Sequence, residues 1–235
     1  MVHSTLPLLY LASESPRRQE LLHQIGIPHT VLRLPAVEGE DEPRQANESP
    51  VLYVQRTALE KAQRAQQWLE KAQPNAFTAR SEYLLDPHST KPEHQRSLGQ
   101  PQNLPILTAD TTVALGNTIL GKPVDAQHAE SILKQLSGKT HTVYTAVVLA
   151  RQTAIDTELS TLSTLSTSLV SFKDLSQAEI LEYIATGDCF GKAGAYGIQG
   201  FAARFIQDLR GSYSGVMGLP LYETAELLRT AKVIF

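Results

Sequence analysis

A short apolar run, Leu8-Leu9-Tyr10-Leu11, stops at the polar turn Ala12-Ser13-Glu14-Ser15, the pattern of a buried strand. Ser15-Pro16 then opens a helix, with serine as N-cap and proline at the first helical position, where a missing N–H costs nothing. Leu21, Leu22 and Ile25 form its apolar face and Gly26 its stop. A strand over 29–34 leads to an acidic loop, 38–42. Ser49-Pro50 repeats the start signal, and Val51, Val54, Ala58, Ala62, Ala65 and Leu69 hold helical spacing. Residues 72–105 break the pattern, with five prolines and little periodicity, and read as an insertion within one domain.

The second half resumes with a strand at Ile106–Ala109, closed by Asp110, and another at Thr111–Leu115. A hairpin turn at Gly116-Asn117 and a helix from Asp125 to Leu136 follow. β-Branched residues predict a strand over 140–150, and the Ser-Thr-Leu repeat within 159–171 its return partner. Ser176-Gln177-Ala178-Glu179 is a capping box for a helix ending at Gly187. Eight of the fourteen glycines lie between 187 and 218, which reads as loop, before a closing helix over 221–232. Interleaved strands and helices with hairpins predict a mixed β-sheet in an α/β or α+β fold.

Composition narrows the classes. The chain has 235 residues, enough for one domain with a sizeable core. Its net charge of −3 argues against a protein that coats nucleic acid. The single cysteine, Cys189, forms no internal disulfide, so a cytoplasmic location is expected. Leu6–Ala12 is too short to span a membrane and lacks the cationic flank of a secretory signal.

Several familiar motifs fail. Residues 116–123 approach a phosphate-binding P-loop, but Pro123 stands where a Ser or Thr must hold magnesium. Gly194, Gly197 and Gly200 recur every third position, which is not the dinucleotide-binding spacing. The seven histidines are scattered, and there is neither H-E-x-x-H nor G-x-S-x-G.

What remains is a set of charges where elements end. Arg17 and Arg18 open the first helix, beside Ser13 and Ser15, where cations oppose the helix dipole unless an anion joins them. Lys61, Lys122 and Lys192 offer further cations, and Asp110 offers a carboxylate for a metal or for activating water, with Glu38 and Glu40 as acidic neighbours. Each has an ordinary alternative: solvated arginines, an exposed helix face at Lys61, a turn cap at Asp110, a solvated acidic loop. From spacing alone the reading ends at an anion-binding α/β domain and, at its furthest, a phosphohydrolase.

The chain resembles the Maf family of nucleotide pyrophosphatases. The resemblance rests on Leu11-Ala12-Ser13-Glu14-Ser15-Pro16-Arg17-Arg18, Ala109-Asp110-Thr111, Gly121-Lys122-Pro123 and Leu136-Ser137-Gly138-Lys139-Thr140-His141. It continues through Lys192-Ala193-Gly194-Ala195-Tyr196-Gly197-Ile198-Gln199-Gly200 and the block 211–221, all in the family's order. It implies an elongated mixed-sheet α/β fold, like that of inosine triphosphatases, with a cleft between two lobes. It implies hydrolysis of dTTP and UTP, or modified pyrimidine nucleotides, to monophosphate and pyrophosphate with Mg²⁺ or Mn²⁺. By that resemblance Asp110 is the proton acceptor, and Arg17, Thr111 and Gln199 tune base selection. Ser13, Arg18, Lys61 and Lys122 surround the phosphates, and Glu38, with Asp110, holds the metal, the register between Glu38 and Glu40 being open. Gly215, where an Asn is usual, and Glu14, where a small residue is common, depart from the pattern. A 7-methyl-GTP pyrophosphatase and a nucleotide-binding regulator of cell division without turnover are the alternatives. The expected partner is a small nucleotide, with neither nucleic acid nor membrane, and the resemblance alone suggests a homodimer.

Overall fold

Period-two alternation along the central strands explains how the elements stack. The computed structural model describes residues 7–35, 43–71, 104–152 and 159–235. Its elements in chain order begin with β1 (Leu9–Leu11), α1 (Pro16–Gln24), β2 (His29–Val31) and α2 (Pro50–Lys71). There follow β3 (Ile106–Leu115), β4 (Thr118–Leu120), α3 (Ala126–Leu136), β5 (Thr140–Gln152) and β6 (Leu159–Phe172). The chain closes with α4 (Gln177–Ala185), β7 (Ile206–Arg210), α5 (Tyr213–Met217) and α6 (Leu221–Thr230). Seven strands form one mixed sheet in the order β2-β1-β3-β5-β6-β7, with β4 paired to β3. β1 runs parallel to β2 and β3, and the remaining pairs are antiparallel.

Even-numbered residues of β3 face α2. Ile106 joins Val54, Ala58, Ala62 and Ala65 in one apolar cluster, and Thr108 Oγ1 donates to the Ala58 carbonyl at 2.8 Å. The small side chains let the helix lie close to the sheet. Odd-numbered residues face the other way and divide between two clusters. Leu107 and Ala109 pack with α1 and α6. Val113 packs with α3 and α4. Thr111 lies between the two groups, opposite Thr145 of β5.

The sheet is also open at this point. β1 pairs with β3 at Ile106 and Leu107, and β4 pairs with the same edge at Val113–Leu115. Among the described strands, that edge has no neighbour between Thr108 and Thr112, while β5 covers the opposite edge throughout. The gap arises because β1 ends at Leu11 and the chain turns through Ser13 and Ser15 into α1.

Most expected elements are present, with several corrections. β3 is a single strand, so Asp110 stands in its middle and neither ends one strand nor caps a turn. The strand expected over 29–34 is confined to His29–Val31. Ser15 occupies the N-cap position of α1 without a capping hydrogen bond; its own N–H donates instead to Ser13 Oγ at 3.2 Å. The stretch read as glycine loop contains β7 and α5, which the glycine count hid. The insertion at 72–105 lies outside the described residues except for Leu104 and Pro105, and the Pro105 carbonyl accepts from Tyr10 N at 2.8 Å. No described helix is long and apolar enough to cross a membrane.

Leu133 of α3 is fully buried in the cluster with Val113 and Tyr183. Leu133→Ala should lower the unfolding free energy by about 3 kcal/mol, read from the urea midpoint at unchanged slope.

Candidate functional site

Asp110 sits at the open edge of β3 and is 8% exposed. Two α2 residues one helical turn apart hold it: Thr57 Oγ1 donates to Oδ2 at 2.8 Å and Lys61 Nζ to Oδ1 at 2.6 Å. Burial alone would raise its pKa. The charge and hydrogen bond of Lys61, the charge of Arg18 and the Thr57 hydroxyl outweigh burial and hold the carboxyl below the usual aspartate range. It is therefore an ionised carboxylate at neutral pH.

A cleft of about 160 Å³ opens over this strand edge, lined among others by Arg18, Lys61, Asp110, Thr111, Lys122 and Gln199. A cavity of roughly this size takes one six-membered ring. Five of its lining side chains are basic, the others being Arg17 and Lys192, and one, Asp110, is acidic. The excess of positive charge in a partly enclosed space attracts anions. A second, wider trough adjoins it and shares Arg17, Arg18, Lys61 and Lys122, adding Ser13 and Trp68.

Arg18 joins the two ends of the chain. Its Nε donates to the Gly218 carbonyl at 2.8 Å, Nη1 to Ser13 Oγ at 3.1 Å and Nη2 to Thr111 Oγ1 at 3.4 Å. Gly218 adopts φ +122°, a conformation glycine takes readily.

The far wall is the segment 192–200. Gly194 N donates to the Gly121 carbonyl at 3.1 Å, tying this wall to the Gly121-Lys122-Pro123 loop. A Cβ on Gly194, which has φ +69°, would lie 2.8 Å from Val113 Cγ1, so only glycine fits. Lys192 Nζ donates to the Asp188 carboxylate at 2.9 Å, which offsets its charge. Behind the wall, Tyr196 is buried, with its hydroxyl 2.8 Å from Nε2 of the equally buried His141. Burial pushes the imidazole down to about 4, so it is neutral at physiological pH.

The structure brings Ser13, Arg17, Arg18, Lys61, Asp110, Thr111, Lys122, Lys192 and Gln199 to one connected pair of hollows. Lys61 is thus not an ordinary exposed helix position. Glu38 and Glu40 lie outside the described residues. Among the described residues no group of three or more His, Cys, Asp or Glu side chains stands together. Sequence reading missed Thr57, although it stands four residues before Lys61 and hence on the same helical face. It also missed Thr145, whose only signal is its register opposite Thr111.

The class that fold and cleft define is an α/β protein with an anion-attracting cleft beside a buried, ionised carboxylate. The family model for Maf-like proteins matches residues 8–231, and the chain belongs to that family. It is similar to the dTTP/UTP pyrophosphatase of Bordetella parapertussis, 47% identical over 227 residues, covering 97% of this chain and 94% of the relative. The proteins of the same name from Cupriavidus pinatubonensis and Xanthomonas axonopodis pv. citri are 45% identical over 233 residues and 44% over 221. Those alignments cover 97% and 94% of this chain and 98% and 97% of the relatives.

The depressed pKa of His141 has a definite sign. The unfolded chain takes up a proton near pH 6.5, while the folded protein resists it until about 4. Stability is therefore full above pH 6.5 and falls as pH drops toward 4, by up to about 1.4 kcal/mol per unit. Urea titrations across this range should show that slope, and His141→Gln should flatten it.

Proposed function

We propose that this chain hydrolyses dTTP and UTP to the monophosphate and pyrophosphate. The observation that carries the reading is the ionised Asp110 at an open strand edge, facing a ring-sized cleft rich in basic side chains. The name shared by the relatives supplies the substrates.

In this reading Arg18, Lys61, Lys122 and Ser13 bind the phosphates, and their fixed charges oppose the negative charge that develops on the departing pyrophosphate. Asp110 accepts the proton of the attacking water. Held in this way it is a weak base, because Lys61 and Thr57 both donate to it. A triphosphate beside Lys61 competes for that ammonium, and each hydrogen bond drawn from Asp110 raises its basicity. Gln199, exposed at the mouth, presents an amide N–H donor that matches O4 of uracil or thymine. Arg17 and Thr111 complete the selection of the base.

The donor set fits a divalent cation such as Mg²⁺ or Mn²⁺. These ions are commonly held by one or two carboxylates together with substrate phosphates, and each Asp110 oxygen keeps lone pairs beyond its single described donor. Asp110 would hold the ion, with Glu38 or Glu40 as a further ligand. When bound, it supplies neutralisation of phosphate charge and acidification of water. A cytoplasmic site of action and a homodimeric state complete the reading, the latter open to measurement by sedimentation.

Purified protein should be given dTTP, UTP, CTP, GTP, 7-methyl-GTP and ATP with Mg²⁺ or Mn²⁺, and the products separated. Monophosphate and pyrophosphate should appear from dTTP and UTP foremost and vanish with EDTA. Turnover of 7-methyl-GTP instead would overturn the substrate assignment. Binding of dTTP without pyrophosphate release would overturn the reaction and favour a regulator. Asp110→Asn should fold and bind nucleotide while losing about 10²–10⁴-fold in kcat.

A further inference from the structure

Thr111 and Thr145 are cross-strand partners whose hydroxyl oxygens lie 3.1 Å apart. Thr145 is 1% exposed, and its hydroxyl donates to the Gly215 carbonyl at 2.7 Å. A hydroxyl carries one proton, and a carbonyl has none to return. Toward Thr111, then, Thr145 can only accept. Thr111 must supply the proton for that bond.

The other neighbour of Thr111 enforces the same order. Arg18 Nη2 lies 3.4 Å from Thr111 Oγ1, and a guanidinium only donates. The circuit closes through the main chain: Gly218 N donates to the Gly215 carbonyl at 3.0 Å, and the Gly218 carbonyl accepts from Arg18 Nε at 2.8 Å. The proton order is thus Arg18 to Thr111 to Thr145 to Gly215. Thr111 Oγ1 receives one bond and gives its only proton inward, so one lone pair remains for a ligand in the cleft it lines.

We propose that Thr145 is a positioning residue that keeps Thr111 an acceptor toward the cleft, and so selects bases with a ring N–H over bases with an acceptor at that place. Uracil and thymine carry N3–H and meet the lone pair. Cytosine presents an unprotonated N3, and two acceptors face each other with no proton between them. The inference rests on the reading of the cleft as a pyrimidine nucleotide site and deepens it from a list of contacts to a stated polarity.

The test compares kcat/KM for UTP and CTP in the wild type, Thr145→Val and Thr145→Ser, with calorimetric titration of dTMP and dCMP as a readout independent of turnover. Valine keeps the shape and removes the oxygen that takes the Thr111 proton, which then turns toward the cleft. The UTP to CTP ratio should fall at least about tenfold in Thr145→Val and stay within about twofold of wild type in Thr145→Ser. A merely structural role would lower both substrates together, and an unchanged ratio in a folded Thr145→Val would overturn the proposal. If the valine variant does not fold, wild type with 3-methyl-UTP decides. The blocked N3 should cost at least about tenfold in kcat/KM, and turnover equal to that of UTP would overturn the proposal. Failure of the reaction reading is separable. A wild type without turnover that still binds dTMP over dCMP, the preference vanishing in Thr145→Val, supports the inference, whereas equal binding of both by wild type overturns it.

Discussion

Strand β3 carries a carboxylate past a stretch of its own edge where, among the described strands, it has no neighbour on one side. That gap is the constraint on which the cleft depends. Were β1 longer, or β4 set nearer, backbone would fill the space over Asp110 and Thr111. Because the gap is there, two consecutive residues that point to opposite faces of the sheet both reach one hollow. Asp110 is met from one face by α2, through Thr57 and Lys61. Thr111 is met from the other by Arg18 and Thr145. A buried carboxylate without partners would take up a proton. Lys61 keeps this one ionised, and also places a cation where a polyphosphate would need it.

The rest of the fold fixes the walls of that gap. Small residues of α2 let the helix approach closely enough for Thr57 and Lys61 to reach the strand. Gly194 lets the 192–200 segment press against Val113, and its N–H ties that segment to the loop bearing Lys122. Arg18 holds the first helix to Gly218 and so joins sequence-distant ends of the chain across the cleft. Hydrogen bonds to main-chain carbonyls on this scale leave little freedom to the side chains they hold, which suits a site that must be preorganised.

Much of this was legible in the sequence where local rules govern. The Ser176–Glu179 capping box is present in full, and Asp125 caps α3 by accepting from His128 N at 2.7 Å. The Gly116-Asn117 turn joins β3 to β4 as its residues predict. Arg17 and Arg18 at a helix start, and Lys61 on a helix, were readable as cations with an unexplained purpose. The partners of Lys61 and Arg18 were not readable, since sequence separations of 49 and 200 residues are decided by tertiary packing. Asp110 looked like a strand end because an acid interrupts an apolar run, and a buried strand can carry one only with a cation supplied from elsewhere. β7 was hidden because its residues lie among glycines whose spacing suggested loop. The Thr145 contribution depends on register, which a single strand does not reveal.

In the proposed reaction water attacks a nucleoside triphosphate held in this cleft, with pyrophosphate as the leaving group. Its most direct test is a single-turnover reaction of dTTP in ¹⁸O-labelled water, with the products resolved by mass spectrometry. One ¹⁸O is expected in the thymidine monophosphate and none in the pyrophosphate. Label in the pyrophosphate, or release of orthophosphate with a nucleoside diphosphate, would contradict it.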